Sequence, residues 1–153
     1  MTGSIIAVGI DGSEGSRRAL RWAIDEAVLR NGAVEAVTVW PPRGSAEPVS
    51  DDQAEQMRLH ADEMQRHVVA SVLDGIENPP SISREVVHGD AIDVLVRMSS
   101  HADLLVVGSH GVSSMRHAAL GSVSEACARL AECPSVVVPV NITSEHGEEL
   151  TVV

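Results

Sequence analysis

The residues best suited to hold an anion run from Gly108 to Ser124. The chain reads Gly108-Ser109-His110-Gly111, then nine residues, then Gly121-Ser122-Val123-Ser124-Glu125. Glycines at 108 and 111 let a backbone turn off a strand and lie against a ligand with no Cβ in the way. Gly121 and Ser122 would open a helix, whose unpaired N–H groups and positive dipole end attract a phosphate. Ser122 and Ser124 add hydroxyl donors. The same residues admit a second reading, in which Ser122 and Glu125 form a capping box with Gly121 as its turn. Spacing alone leaves both readings open, and they are compatible, because a capped helix start still has N–H groups to offer.

Other chemistry is narrowed by what the chain lacks. It has no lysine, so all 11 of its positive side chains are arginines, and neither a Walker A lysine nor a Schiff-base lysine is available. With no Phe or Tyr, only Trp22 and Trp40, and a net charge of −11, it offers no stacking platform and repels polyphosphate backbones. Nucleic acid is therefore not an expected partner, whereas a small anion bound by local N–H groups is compatible with the global charge. Cys127 and Cys133 match no zinc spacing and read as small apolar side chains. His60 and His67, seven apart, read as polar-face residues of a helix, since a metal would need a further ligand. Arg17, Arg18 and Arg21 are followed by Asp25 and Glu26 at ion-pair spacing and read as a solvated face. Ser13 has an N-cap role to play, and no Gly-x-Ser-x-Gly elbow supports a hydrolase triad around it. For His110, Arg116 and His117, a contact with a triphosphate and a solvated loop position both stand open.

These residues must be positioned by the elements around them. Apolar runs of strand length, Ser4–Ile10, Ala33–Trp40, Ser81–His88, Leu104–Val107 and Ser135–Val140, alternate with stretches at helical spacing. Ser13 caps a helix to about Arg30 with Leu20, Ile24 and Val28 on its face, and Asn31-Gly32 stops it. Asp51–Leu73 carries Met57, Ala61, Met64, Val68 and Val72 on one face. Asp90 caps a short helix bearing Ile92, Leu95 and Val96, and the last helix spans Ser124–Ala131. Strands apolar on both faces and separated by helices predict a five-stranded parallel sheet in the order 3-2-1-4-5, with helices on both faces. In such a sheet ligands bind where the winding reverses, here between the first and fourth strands, at Asp11 and Gly108.

The apolar stretches are too short to cross a bilayer, and Met1-Thr2-Gly3-Ser4 lacks the features of a secretory signal, so a cytoplasmic protein with no membrane partner is expected. One domain is expected over residues 4–140, followed by a polar, acidic tail over 141–153 that is either disordered or docked on a partner subunit through Leu150-Thr151-Val152-Val153. Val136-Val137-Val138-Pro139-Val140 would be an apolar sheet edge, which a two-fold partner would cover.

The spacing Gly108-x2-Gly111-x9-Gly121-Ser122 resembles the ATP-binding signature of the universal stress protein family. So do Ile6-Ala7-Val8-Gly9-Ile10-Asp11-Gly12-Ser13, Val87-His88-Gly89-Asp90-Ala91 and Pro134-Ser135-Val136-Val137-Val138-Pro139-Val140. The resemblance implies a Rossmann-like fold of the adenine nucleotide alpha hydrolase type, an ATP ligand and a homodimer through the fifth strand. It implies that Gly9 and Asp11 meet the adenosine and that the backbone of Val39 recognises adenine. Gly108, Ser109, His110 and Gly111 would follow the ribose and phosphates, while Gly121, Ser122, Val123 and Ser124 hold the phosphates. Mg²⁺ could accompany ATP, with Asp11 meeting it through water or contacting the ribose instead. AMP, cyclic AMP or no nucleotide, and slow ATP hydrolysis at the same site, stand as alternatives. No general base is evident, so binding without catalysis is the expectation.

Overall fold

The computed structural model describes residues 3–111 and 120–140. The element order is β1 (Ile5–Gly9), α1 (Glu14–Leu29), β2 (Ala33–Trp40), α2 (Asp51–Leu73), β3 (Ile82–His88), α3 (Ala91–Ser99), β4 (Leu104–Gly108), α4 (Ser122–Leu130) and β5 (Ser135–Val138). The strands form one parallel sheet in the order β3-β2-β1-β4-β5, as the alternation of elements predicts.

The caps follow from local chemistry. Ser13, Ser50 and Asp90 each accept backbone N–H bonds from the first turn of α1, α2 and α3. At α2 the Gln53 side chain also accepts from Val49 N at 2.7 Å, reinforcing the start of the longest helix. At the end of α1 the left-handed residue is Asn31, with φ 51°, rather than Gly32. Gly32 is needed for a different reason, since its backbone passes so close to Ser4 that a Cβ would collide with the Ser4 carbonyl.

Two apolar layers enclose the sheet. On one face α1 and α2 pack Leu20, Ile24 and Val68 against Ile6, Val8 and Val106. On the other, α3 and α4 pack Val94, Leu95, Met98 and Cys127 against Ala7, Leu105 and Val107. Three expectations shift by part of a helical turn. Val28 is 52% exposed, because the buried face of α1 runs through Ala19, Leu20, Ala23, Ile24 and Ala27. The buried face of α3 is Val94, Leu95 and Met98, leaving Ile92 and Val96 half-buried at its side. Nor are the arginines of α1 simply solvated. Arg21 pairs with Asp25 at 3.6 Å, but Arg17 Nη1 donates to Ser71 Oγ on α2 at 2.6 Å. Glu26 pairs with Arg30 instead.

One buried polar side chain joins α2 to the sheet. Gln65 is fully buried, and its Nε2 donates to Ala36 O at 3.2 Å and Glu85 O at 2.9 Å. Its Oε1 accepts from Arg84 Nη1 at 3.1 Å, and Arg84 also pairs with Asp62. Gln65→Leu keeps the volume and removes these bonds, leaving Arg84 with Asp62 alone and untying α2 from β2 and β3. The expected loss is about 1–3 kcal/mol in urea-induced unfolding. A second check concerns the thiols: Cys127 has no exposed surface, and burial pushes its pKa up to about 11. Because only the thiolate reacts, an alkylating reagent at pH 8 is expected to modify Cys133 well before Cys127, as read by peptide mass mapping.

Candidate functional site

The carboxyl ends of β1 and β4 lie side by side, and the helices after them leave from opposite faces of the sheet. A cleft of about 720 Å³ opens there, a size typical of small-molecule sites. Its floor is the strand ends and the turns beyond them.

At the β1 side the chain turns sharply through Asp11-Gly12-Ser13. Gly12 has φ 85°, which a side chain would disfavour. Asp11 Oδ1 accepts from Ser13 N at 2.9 Å and from Ser13 Oγ at 2.5 Å, while Ser13 Oγ accepts from Ser16 N at 3.1 Å. The Ser13 hydroxyl is thus held by a carboxylate and a helix start. Thr38 Oγ1 donates to Ile10 O at 2.8 Å, and Ile10 N to Val37 O, so β2 fixes the end of β1 and brings Val39 to the cleft.

At the β4 side the backbone of Gly108 lies against α1. A Cβ on Gly108 would stand 2.7 Å from the backbone carbon of Gly15, so this position is closed to side chains by helix–strand packing. A Cβ on Gly111 would stand 2.6 Å from Asp11 Oδ2, which sets the β1 and β4 loops in contact. Ser109 organises the loop beyond the strand. Its N–H donates to Val138 O, and its carbonyl accepts from Gly121 N at 2.6 Å and Ser124 Oγ at 2.8 Å. Its hydroxyl lies 3.0 Å from His110 Nδ1 and accepts from Val140 N at 3.3 Å. The start of α4 and the end of β5 are both tied to this one residue.

Helix α4 begins at Ser122, two residues earlier than its apolar spacing suggests, with Gly121 as N-cap and no side-chain cap. The capping box between Ser122 and Glu125, one of the two readings open from spacing, is therefore not made, because Ser122 sits in the first turn instead of at the cap. Ser124 is buried, and its hydroxyl donates to Ser109 O and Gly121 O, so it serves the loop. The first-turn N–H groups of Ser122, Val123 and Ser124 have no intrahelical acceptors, and they sit at the positive end of the helix dipole on the cleft wall.

The structure brings Gly9, Asp11, Val39, Gly108, Ser109, His110, Gly111, Gly121, Ser122, Val123 and Ser124 to this single cleft. Arg116 and His117 lie outside the described residues. Several lining residues escape the motif reading: Pro41, Pro42 and Arg43 after β2, and Gln53, Gln56, Met57, His60 and Met64 on α2. His60 and His67 part company, since His60 borders the cleft and His67 does not. The signal for the α2 residues was present, in an apolar face continued at three- and four-residue steps past the point where the sheet ends. Arg43 pairs with Asp90 at 3.5 Å and closes one corner of the cleft. Among the described residues no group of three His, Cys, Asp or Glu side chains is placed to hold a metal ion. No helix among them is long and apolar enough to cross a membrane.

A doubly wound parallel sheet with a glycine loop and a helix start facing one cleft at its switch point is the α/β architecture in which ligands are commonly bound at that point. The model of the universal stress protein family matches residues 4–139, and the chain belongs to that family. It is 33% identical over 150 residues to Universal stress protein Rv1996 of Mycobacterium tuberculosis, a match covering 88% of this chain and 47% of that protein. The chain thus spans about half the length of the curated relatives it matches. Among solved structures, universal stress protein UspA from Lactobacillus plantarum superposes with a TM-score of 0.75 at 21% identity, over 90% of this chain and 99% of that one. A universal stress protein in complex with cAMP matches with a TM-score of 0.57 at 26% identity, over 90% of this chain and 98% of that one.

Gly108→Ala tests the packing role of that glycine. The added methyl meets Gly15 backbone, so a loss of roughly 1–3 kcal/mol is expected in thermal or urea unfolding of the ligand-free chain.

Proposed function

We propose that this protein holds an adenine nucleotide, ATP in the first instance, as a regulatory or structural ligand, and does so as a homodimer. The observation that carries the reading is the meeting of two anion- and ribose-directed features across one cleft. The free N–H groups of the α4 first turn face it from the β4 side, and Asp11 faces it from the β1 side. The family of the chain and the cAMP carried by one of its structural relatives support an adenine nucleotide. That relative also favours a second reading, in which the ligand is a cyclic nucleotide.

Residues 4–140 supply the whole site on this reading. Gly9, Asp11 and Val39 take the adenosine, Gly108 to Gly111 follow the ribose and phosphates, and Gly121 to Ser124 take the phosphates through backbone N–H groups. Where ATP carries Mg²⁺, Asp11 is the cleft carboxylate able to meet it through water. Holding is favoured over hydrolysis because the chain has no lysine to stabilise the charge that develops on the phosphates during transfer. A nucleotide ligand and unpaired thiols both suit the cytoplasm.

The homodimer reading rests on β5. It lies at one edge of the sheet, and the carbonyls of Val138 and of Pro134, just before the strand, face β4. By the alternation of a parallel ladder, Ser135 and Val137 then point their N–H and C=O groups outward. Pro139 falls on the same outward set and costs β4 no hydrogen bond. Val138 itself is buried, so changing it would test the fold and not the interface.

Three experiments check these readings. Freshly purified protein, denatured and chromatographed, is expected to release an adenine nucleotide, or the emptied protein to bind ATP, AMP or cyclic AMP in calorimetry. Neither result appearing would end the nucleotide reading. Gly121→Val places a branched side chain at the helix start and is expected to lower ATP affinity by roughly tenfold or more. In sedimentation, Val137→Pro removes one outward N–H, and a dimer is expected to weaken to monomer. An unchanged dimer would move the interface away from β5.

A further inference from the structure

The first half of α2 has a face that the rest of the fold does not account for. The buried residues of this 23-residue helix, Ala61, Gln65, Val68 and Val69, all fall from position 61 onward. Met64 on this face touches both the core and the cleft, and beyond it His60, Met57 and Gln53 carry the face toward the N-terminus, where it borders the cleft. Met57 and Met64 are half-buried and His60 is exposed. Met64 marks the inner end of this wall, since a Cβ on Gly12 would stand 3.2 Å from its sulfur. The wall therefore starts against the turn that carries Asp11 and runs outward.

Sheet order decides which half of the cleft this wall serves. Helix α2 packs on β2 and β3, whereas the glycine loop and the start of α4 come after β4. Strand β1 lies between β2 and β4, which sets their ends about 10 Å apart. The α2 wall thus stands on the Val39 side, away from the N–H groups suited to phosphate.

Its chemistry suits a flat heteroaromatic ring. Thioethers are soft, adaptable and make favourable sulfur–ring contacts. The chain has no Phe or Tyr, and neither of its tryptophans lines the cleft, so among the described lining residues no Phe, Tyr or Trp ring competes for that role. Among the described residues His60 makes no hydrogen bond or ion pair, which leaves both ring nitrogens available to a ligand.

We propose that Met57, His60 and Met64 form the nucleoside side of the site, with the thioethers on one face of the base and the imidazole on a polar edge of the base or ribose. The proposal rests on the nucleotide reading above and adds the residues that recognise the nucleoside half. It separates from that reading by comparing ligands that differ only in phosphate number. Calorimetric titration of adenosine, AMP and ATP into the intact chain, Met57→Ala and His60→Ala supplies the test. Leu59→Ala, on the exposed side of the same helix, is the control.

Each of the two cleft variants is expected to weaken all three ligands by the same factor, roughly three- to tenfold. The unfolding temperature of the ligand-free protein should stay unchanged, and Leu59→Ala should bind like the unaltered chain. Met57→Leu, which keeps the apolar volume, should recover most of the affinity and serves as the second variant should the alanine form fold poorly. Adenosine binding that ignores both substitutions would overturn the proposal while leaving the nucleotide reading intact. A loss that grows with phosphate number would overturn it too, by moving the wall to the phosphate half. Failure of the unaltered chain to bind any of the three ligands would remove the nucleotide reading, and this proposal with it.

Discussion

The site exists because β1 and β4 are neighbours whose succeeding helices depart to opposite faces of the sheet. Each strand end must then be finished by a turn instead of being roofed by a crossing helix, and the space between the turns cannot be filled by the core. Everything else in the site adjusts to that divergence. The turn after β1 is tightened by Asp11 and Ser13, and the turn after β4 is closed by backbone contact between Gly108 and Gly15. The cleft is a consequence of topology first and of side chains second.

Ser109 then converts this opening into a defined site. Through its N–H and C=O it holds the end of β5 and the start of α4, and its side chain receives the chain again at Val140. Because these bonds are made within the protein, the N–H groups of the α4 first turn are set in place before any ligand arrives. Pre-set donors spare a ligand the cost of ordering them. The serines of the loop build this frame and leave the first-turn backbone amides of α4 facing the cleft.

The glycines illustrate how one residue type can carry two explanations. From the chain alone, Gly108 and Gly111 read as room for a ligand. In the fold the missing Cβ atoms first make room for Gly15 and for the Asp11 carboxylate. Close packing of the two loops and close approach of a ligand are not rivals, since the loops must meet before they can share one. Helix α4 shows the converse, where a plausible capping pair is not formed because the tie to Ser109 draws the helix start back to Ser122.

The sequence by itself determined the element order, the parallel sheet and its strand order, because these come from apolar runs of strand length alternating with helical spacing. It also held the glycine and serine pattern that marks the β4 loop and the helix beyond it. Only the tertiary structure decided which faces of α1 and α3 are buried, since a fraction of a turn separates Val28 or Val96 from the core and periodicity does not resolve it. Only the fold could show Gln65 as the link between α2, β2 and β3, or place His60 on the cleft and His67 off it. Those facts depend on contacts between segments far apart in the chain, and local spacing carries no record of where a helix ends up relative to the end of a sheet.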